Sequence, residues 1–373
     1  MINTKTKQIG VGVLRLYIPG PVSVSEETMR AMNKEMIGHR GKEFQELFGE
    51  VSSNLQKVFQ TKNRVLVSTS SGSGLMEGAI RNCVNEKVLV CECGAFGKKW
   101  ADIAKGCGKE VEVLHTEAGK GIKGEDLKKK LSEKKFEAVC LTHNETSTGV
   151  MNHLDELAPI IKESGALVLV DTVSSMGGAK VEVDKLGLDV CLTSSQKCFS
   201  LPPGLSFASV SEKALEKAKG VKGRGYYFDF VELAKEYDTK QTPYTPAVGL
   251  IFGLRAQLER MILEGIENVY ERHEDMSRET QKWAKGKGLD LFAEQGYRST
   301  TVTCIENTKK INLDEVKKKV KLRGYVMDAG YRKLNEGLIA AGKNDTFRIP
   351  HMGNLTVGEL RNYLDCLAEE MKL

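Results

Sequence analysis

Seven short apolar runs, most of them followed by polar or glycine-rich residues and then a helix pattern, constrain this chain more than any other feature. They are 64–68 (RVLVS), 88–91, 111–115, 138–142, 166–171 (ALVLVD), 188–193 and 206–210. Strands that are apolar along their length, rather than alternating, must be covered on both faces. Separated by helices, they predict a parallel sheet sandwiched between helical layers. Beyond about residue 247 the pattern changes. A long, nearly uninterrupted helical stretch over 250–284 leads to a strand at 299–305, a helix at 313–323, a short strand at 347–349 and a final helix from 357. The expected fold is α/β, with a large, mostly parallel sheet domain covered by helices and a smaller α+β C-terminal domain. The expected division is a segment 1–20, a large domain 21–250, and an inter-lobe helix with the small domain over 251–373.

Composition excludes several classes. The net charge of +5 on 373 residues is spread evenly. A nucleic-acid binder concentrates basic charge on one face. The run Lys128-Lys129-Lys130 lies among Glu125, Asp126 and Glu133 and reads as a solvated helix face. No apolar stretch is long enough to span a membrane, and the opening MINTKTKQIG lacks the apolar core of a signal peptide. Nine cysteines occur without a Cys-x-x-Cys pair, and Cys140 and Cys191 sit inside apolar runs. They read as reduced thiols of a cytoplasmic protein. Cys91 and Cys93 alone are a weak metal pair, because no second pair or histidine cluster accompanies them.

Ligands of open α/β sheets bind beyond the carboxyl ends of the strands. Behind the first run come Ser70-Ser71-Gly72-Ser73-Gly74 and a helix. Glycines let an anion approach the backbone, and a helix start offers free N–H groups. Such turns are common, so this is weak alone. No Gly-Lys-Ser/Thr follows, and the Gly-x-Gly-x-x-Gly pattern is missing here. The run 166–171 ends at Asp171, which could orient a ligand, hold a metal or cap a turn. Ser194-Ser195-Gln196-Lys197 follows, with Lys197 26 residues after Asp171. A lysine after a strand is most often a surface charge. Lys197, however, is the sole charge between Val190 and Val210. An uncharged setting points to a site interior, where desolvation makes an amine nucleophilic.

The stretches HNETSTG (143–149), VDTVSSMGG (170–178) and SSQKCFSLPPGLSF (194–207) together resemble the class V aminotransferases of pyridoxal-phosphate (PLP) fold type I. The alanine–glyoxylate and serine–glyoxylate (serine–pyruvate) branch is the most similar. IPGPVSVSEETMRAM near the start, TPYTPAVGLIFGLRAQLERMILEGIENVYERHE (242–274) and FRIPHMG (347–353) extend the resemblance over nearly the whole chain.

The resemblance implies pyridoxal 5'-phosphate as cofactor and a role for each matching position. Lys197 would carry the cofactor covalently and shuttle a proton once released. Asp171 would keep the pyridine nitrogen protonated. Val173 would pack on one ring face and Phe96 on the other, although Phe96 has an equal claim to be core. Ser73, Gly74, the amide of Leu75 and Gln196 would bind the phosphate, and Thr146 would reach the ring hydroxyl. Thr245 would reach the phosphate from a neighbouring subunit, implying a homodimer with active sites at the subunit interface; the bland reading is a helix cap. Arg348 would hold the substrate α-carboxylate, with a structural ion pair as the alternative. Gly20 would leave room beside the substrate. Two departures stand out: Thr242 where some relatives have tyrosine, and Leu75 where some have histidine.

The implied reaction moves the amino group of alanine, serine or aspartate to glyoxylate, pyruvate or 2-oxoglutarate in two half-reactions. Phosphonate or phosphoserine aminotransferases are alternatives that need extra cations, for which His39, Arg40 and Arg332 are available. A desulfurase or lyase is less favoured: the stretch 324–335 holds no cysteine, and Gln196 replaces the usual histidine. A non-catalytic protein on this fold ranks last, because Lys197 and Asp171 are both present.

Overall fold

The computed structural model describes residues 14–373. The opening decapeptide, and with it the expectation about a signal peptide, lies outside the described residues. The seven runs form one sheet: β1 (Arg64–Ser68), β2 (Lys87–Glu92), β3 (Glu110–His115), β4 (Ala138–Thr142), β5 (Leu167–Asp171), β6 (Val190–Ser194) and β7 (Ser206–Val210). Their spatial order is β1-β7-β6-β5-β4-β2-β3. β7 runs antiparallel to both its neighbours, while β6-β5-β4-β2-β3 are mutually parallel. The reason is local: the link from β6 to β7 contains no helix, and a parallel return needs a crossover.

Successive residues of a strand face opposite sides. In β5, Val168 and Val170 enter one core with helices Lys42–Phe59 and Val248–Glu264. Leu167 and Leu169 enter the other, with helices Gly72–Cys83 and Ala95–Gly106. β3 differs from the expectation of strands buried on both faces. It is an edge strand on which no residue is fully buried and Glu110, Val113 and His115 are exposed, and Lys87 of β2 pairs with both Glu110 and Glu112. Charge at an edge blocks further strand pairing.

The long helix expected over 250–284 is two helices, Val248–Glu264 and Ile266–Gly286. Gly265 breaks it, with φ of 87°, a left-handed value that interrupts helical hydrogen bonding. A third core gathers Met276, Ile305, Val316, Phe347 and Leu367 around two small strand pairs. Val302–Glu306 pairs antiparallel with Thr346–Pro350, and Arg15–Tyr17 pairs parallel with Tyr325–Met327. Tyr17 stacks on Tyr363 at 3.8 Å between ring centroids. The segment entering from the N-terminal side is thus bound to this core before it reaches residue 20.

All nine cysteines are free, and all but Cys107 are buried. Among the described residues no cluster suited to a metal ion occurs, and no helix is long and apolar enough to cross a membrane.

Candidate active site

β5 and β6 are adjacent, and their carboxyl ends bring Asp171 and Lys197 together. Asp171 closes β5, and Lys197 lies three residues past the end of β6. Lys197 is 8% exposed and Asp171 is 3% exposed. Burial, reinforced by the positive charge of Arg348, lowers the Lys197 amine to about 8. Burial raises the Asp171 carboxyl to about 6, opposed by the Val173 amide and helped by the charge of Glu145. Both groups are moved toward neutrality, as expected for two ionisable groups in a dry site.

Two features show that this site fits a phosphorylated pyridine. Asp171 Oδ1 accepts from Val173 N at 2.8 Å, whereas no described residue donates to Oδ2. A carboxylate oxygen left without a donor at the edge of the site suits a ring N–H. Helix Gly72–Cys83 begins beside it, and its N-cap Ser71 makes no side-chain capping bond. Gly74 N donates to the Ser71 carbonyl at 2.9 Å, while the N–H groups of Gly72 and Ser73 have no backbone acceptor among the described residues, and an anion suits them. Ser73 and Gly74 lie in this turn and are partly exposed, as is Gln196, while Leu75 is fully buried and has only its backbone to offer. Gly72 packs so tightly that a Cβ there would lie 2.7 Å from Val173 Cγ2.

Phe96 sits in the first turn of helix Ala95–Gly106 and is half-buried, with Tyr331 6.5 Å away between centroids and Lys99 Nζ 4.9 Å above the ring. Glu145, fully buried, holds this turn. Its Oε2 accepts from Phe96 N at 2.8 Å and Gly97 N at 3.1 Å, and its Oε1 accepts from Ser147. Thr146 is buried and shares a 2.6 Å hydrogen bond with Ser174.

Arg348 lies on the small strand Thr346–Pro350, 7% exposed. Its Nε and Nη2 donate to Asp328 at 2.9 Å each, and Nη1 donates to the Thr146 carbonyl at 3.0 Å. Gly20 covers Lys197: its φ is +86°, and a Cβ there would lie 2.6 Å from Lys197 Cδ. The Lys197 amine donates to the carbonyl of Pro19.

Other residues are not gathered here. Thr245 is exposed in a loop that lines a cleft with Thr69 and Tyr227. Arg40 donates to the carbonyls of Thr242 and Pro243 and to Gln241, away from Lys197 and Asp171. Arg332 is exposed and lies 3.7 Å from Glu336. His39 makes no hydrogen bond among the described residues, and the site's hydrogen bonds do not involve it. Two roomier clefts, about 610 and 620 Å³, contain neither Lys197 nor Asp171.

Sequence reasoning missed Glu145, Asp328 and Tyr331. Glu145 had a readable signal, an acidic residue inside an otherwise uncharged loop between apolar strands. Asp328 and Tyr331 had none, because only the folded chain brings 328–331 beside Arg348.

Comparison with known proteins agrees with this geometry. The family model for aminotransferase class-V matches residues 24–348. An uncharacterized aminotransferase of Methanocaldococcus jannaschii is 38% identical over 96% of this chain and 92% of its own length. The serine–glyoxylate aminotransferase of Methylorubrum extorquens is 34% identical, covering 91% of this chain and 86% of its own. The alanine–glyoxylate aminotransferase structure from Nostoc superposes with a TM-score of 0.90 at 26% identity, over 99% of both chains. The chain belongs to the class-V aminotransferase family and is a pyridoxal-phosphate-dependent transaminase.

Proposed function

We propose that this transaminase takes the amino group of a small α-amino acid, alanine, serine or aspartate, and passes it to a 2-oxo acid, with glyoxylate as the leading acceptor ahead of pyruvate and 2-oxoglutarate. The observation that carries the reading is the buried Lys197 amine, held near neutrality beside Asp171, with Arg348 on the same side of the fold. The names of the serine–glyoxylate and alanine–glyoxylate relatives support the choice of substrates.

The bound cofactor supplies an electron sink for the carbanion formed at the substrate Cα. The remaining roles belong to the chain. Lys197 would hold the cofactor, and its amine, at a pKa of about 8, would be suited both to take the proton from the substrate Cα and to give it back. Asp171 Oδ2 would accept from the ring nitrogen and keep its proton in place. The first turn of helix Gly72–Cys83, with Ser73, Gly74, the Leu75 amide and Gln196, would bind the phosphate. Val173 and Phe96 would hold the ring faces, and Thr146 would approach the ring hydroxyl. Arg348 orients the substrate through its carboxylate, and Gly20 keeps the space beside Lys197 small. Thr245, exposed here, reaches the phosphate of a second copy, so the working unit is a homodimer.

A desulfurase reading finds no support, because it needs a mobile, reactive thiol. The cysteines are buried, with burial pushing their pKa values up, and Cys107, the exception in exposure, sits on the far end of helix Ala95–Gly106.

Single half-reactions with a panel of amino donors, followed by cofactor absorbance, test the proposal. Arg348→Ala should weaken every α-carboxylate donor by more than about tenfold, because a charged bidentate contact is lost. Unchanged donor affinity would remove Arg348 from the site. A panel in which only phosphorylated donors react would overturn the substrate assignment.

A further inference from the structure

We propose that Asp328 is a positioning residue for the substrate carboxylate: it fixes the plane of the Arg348 guanidinium so that the N–H groups left over face the ligand. The inference rests on the reading of Arg348 given above and adds the residue through which that arginine is aimed.

The two side chains come from different strands of the small-domain region. Arg348 sits in Thr346–Pro350, and Asp328 follows Tyr325–Met327, with an antiparallel bridge joining the two residues. Both side chains are largely buried, at 9% and 14% exposure. The carboxylate grips the side edge of the guanidinium, Oδ1 to Nε and Oδ2 to Nη2, each at 2.9 Å. Two parallel bonds fix a plane, which one bond cannot do.

Asp328 is itself held. Its Oδ1 also accepts from Gly330 N at 2.8 Å. Gly330 has φ of +90°, and a Cβ there would lie 2.1 Å from the Thr346 carbonyl oxygen, so the turn is pressed against the strand that carries Arg348. The third bond, Nη1 to the Thr146 carbonyl, ties the guanidinium to the loop that carries Glu145 and Thr146.

A guanidinium has five N–H groups. Three are used here, leaving one on Nη1 and one on Nη2 without an acceptor among the described residues. A wholly structural buried arginine is expected to have its donors satisfied. The free pair leaves room for a carboxylate without displacing Asp328. The Tyr331 ring, 5.8 Å from Arg348 Cζ, flanks the same guanidinium.

The holoenzyme provides the test. Binding of 2-methylalanine, which has a carboxylate but no Cα proton to lose, is compared with binding of ethylamine, which has no carboxylate. Cofactor absorbance reports both. Asp328→Ala should weaken 2-methylalanine by at least about tenfold and leave ethylamine within about twofold, since only carboxylate recognition is disturbed. Asp328→Asn keeps the size and one acceptor; it should show a smaller loss, about threefold, and serves if the alanine variant does not fold. Unchanged or tighter 2-methylalanine binding in these variants overturns the proposal, because Asp328 would then be neutral or a competitor for Arg348. Arg348→Ala separates the two readings. If it also leaves 2-methylalanine binding unchanged, the reading of Arg348 fails and takes this one with it. If it weakens binding while the Asp328 variants do not, only the positioning role fails.

Discussion

Asp171→Asn separates a cost to the fold from a gain in cofactor binding. The Asp171 carboxyl moves from 3.8 to about 6 on folding, chiefly through burial. Between those two values the native state binds more protons than the unfolded chain, so stability falls as pH rises; above about 6 the full cost is present. At 1.36 kcal/mol per pH unit, the cost at neutral pH is ~3 kcal/mol. Asparagine has nearly the same shape, keeps an oxygen for the Val173 amide and carries no charge. The cofactor-free variant should therefore be more stable than cofactor-free wild type by ~3 kcal/mol at pH 7.5, and by ~1 kcal/mol at pH 4.5. With an unfolding entropy of ~0.8 kcal/mol/K for a chain this long, the gain at pH 7.5 is a rise in Tm of about 4 °C. Cofactor affinity should move the other way, falling more than about tenfold as a charge-assisted hydrogen bond is lost. The assays are thermal unfolding of both proteins without cofactor across this pH range, and cofactor titration by absorbance. A cofactor-free variant no more stable than wild type at pH 7.5, or a gain that does not shrink in acid, would refute the burial argument.

Other variants address other parts of the site. Lys197→Ala should keep weak cofactor binding, show no turnover, and lose the borohydride-fixed adduct that wild type forms, as mass spectrometry will read. Gly20→Ala forces a side chain into a left-handed backbone costing about 1–2 kcal/mol and places its Cβ against Lys197; kcat should fall by at least about tenfold, 1.4 kcal/mol, while Tm falls by only a few degrees. Glu145→Gln replaces an acceptor-only group facing four N–H and O–H donors by one that must point its own NH₂ at some of them. It should cost about 1–3 kcal/mol of stability and weaken cofactor binding through the loosened Phe96 turn, as denaturation and titration will show.

The parts legible in the sequence are those governed by local pattern. Apolar runs such as ALVLVD mark a strand buried on both faces wherever it lies in the sheet, so the seven strands and the layered architecture could be read directly. The burial of Lys197 was legible because no other charge lies between Val190 and Val210, whereas Asp171 was marked only by its place at a strand tip, which left a ligand, a metal or a turn open. The break at Gly265 was harder, since a glycine is tolerated inside many helices and only its left-handed φ shows that this one ends the helix. The antiparallel β7 follows from the missing helix between it and β6, which leaves no crossover for a parallel return. Asp328 was unreadable, because the bond that gives it meaning spans 20 residues of chain between two strands. The partners of Arg40 were equally unreadable, because the carbonyls at 242 and 243 lie 202 and 203 residues away in the chain.

The entry segment joins two parts of the molecule over a very short span. Residues 15–17 are laced into the small sheet, while Pro19 and Gly20 rest on the lysine at the large one. Three residues of extended chain reach no more than about 10 Å, which leaves little slack in such a tether. A displacement of the small sheet by more than that slack would have to carry Pro19 and Gly20 with it, off the amine.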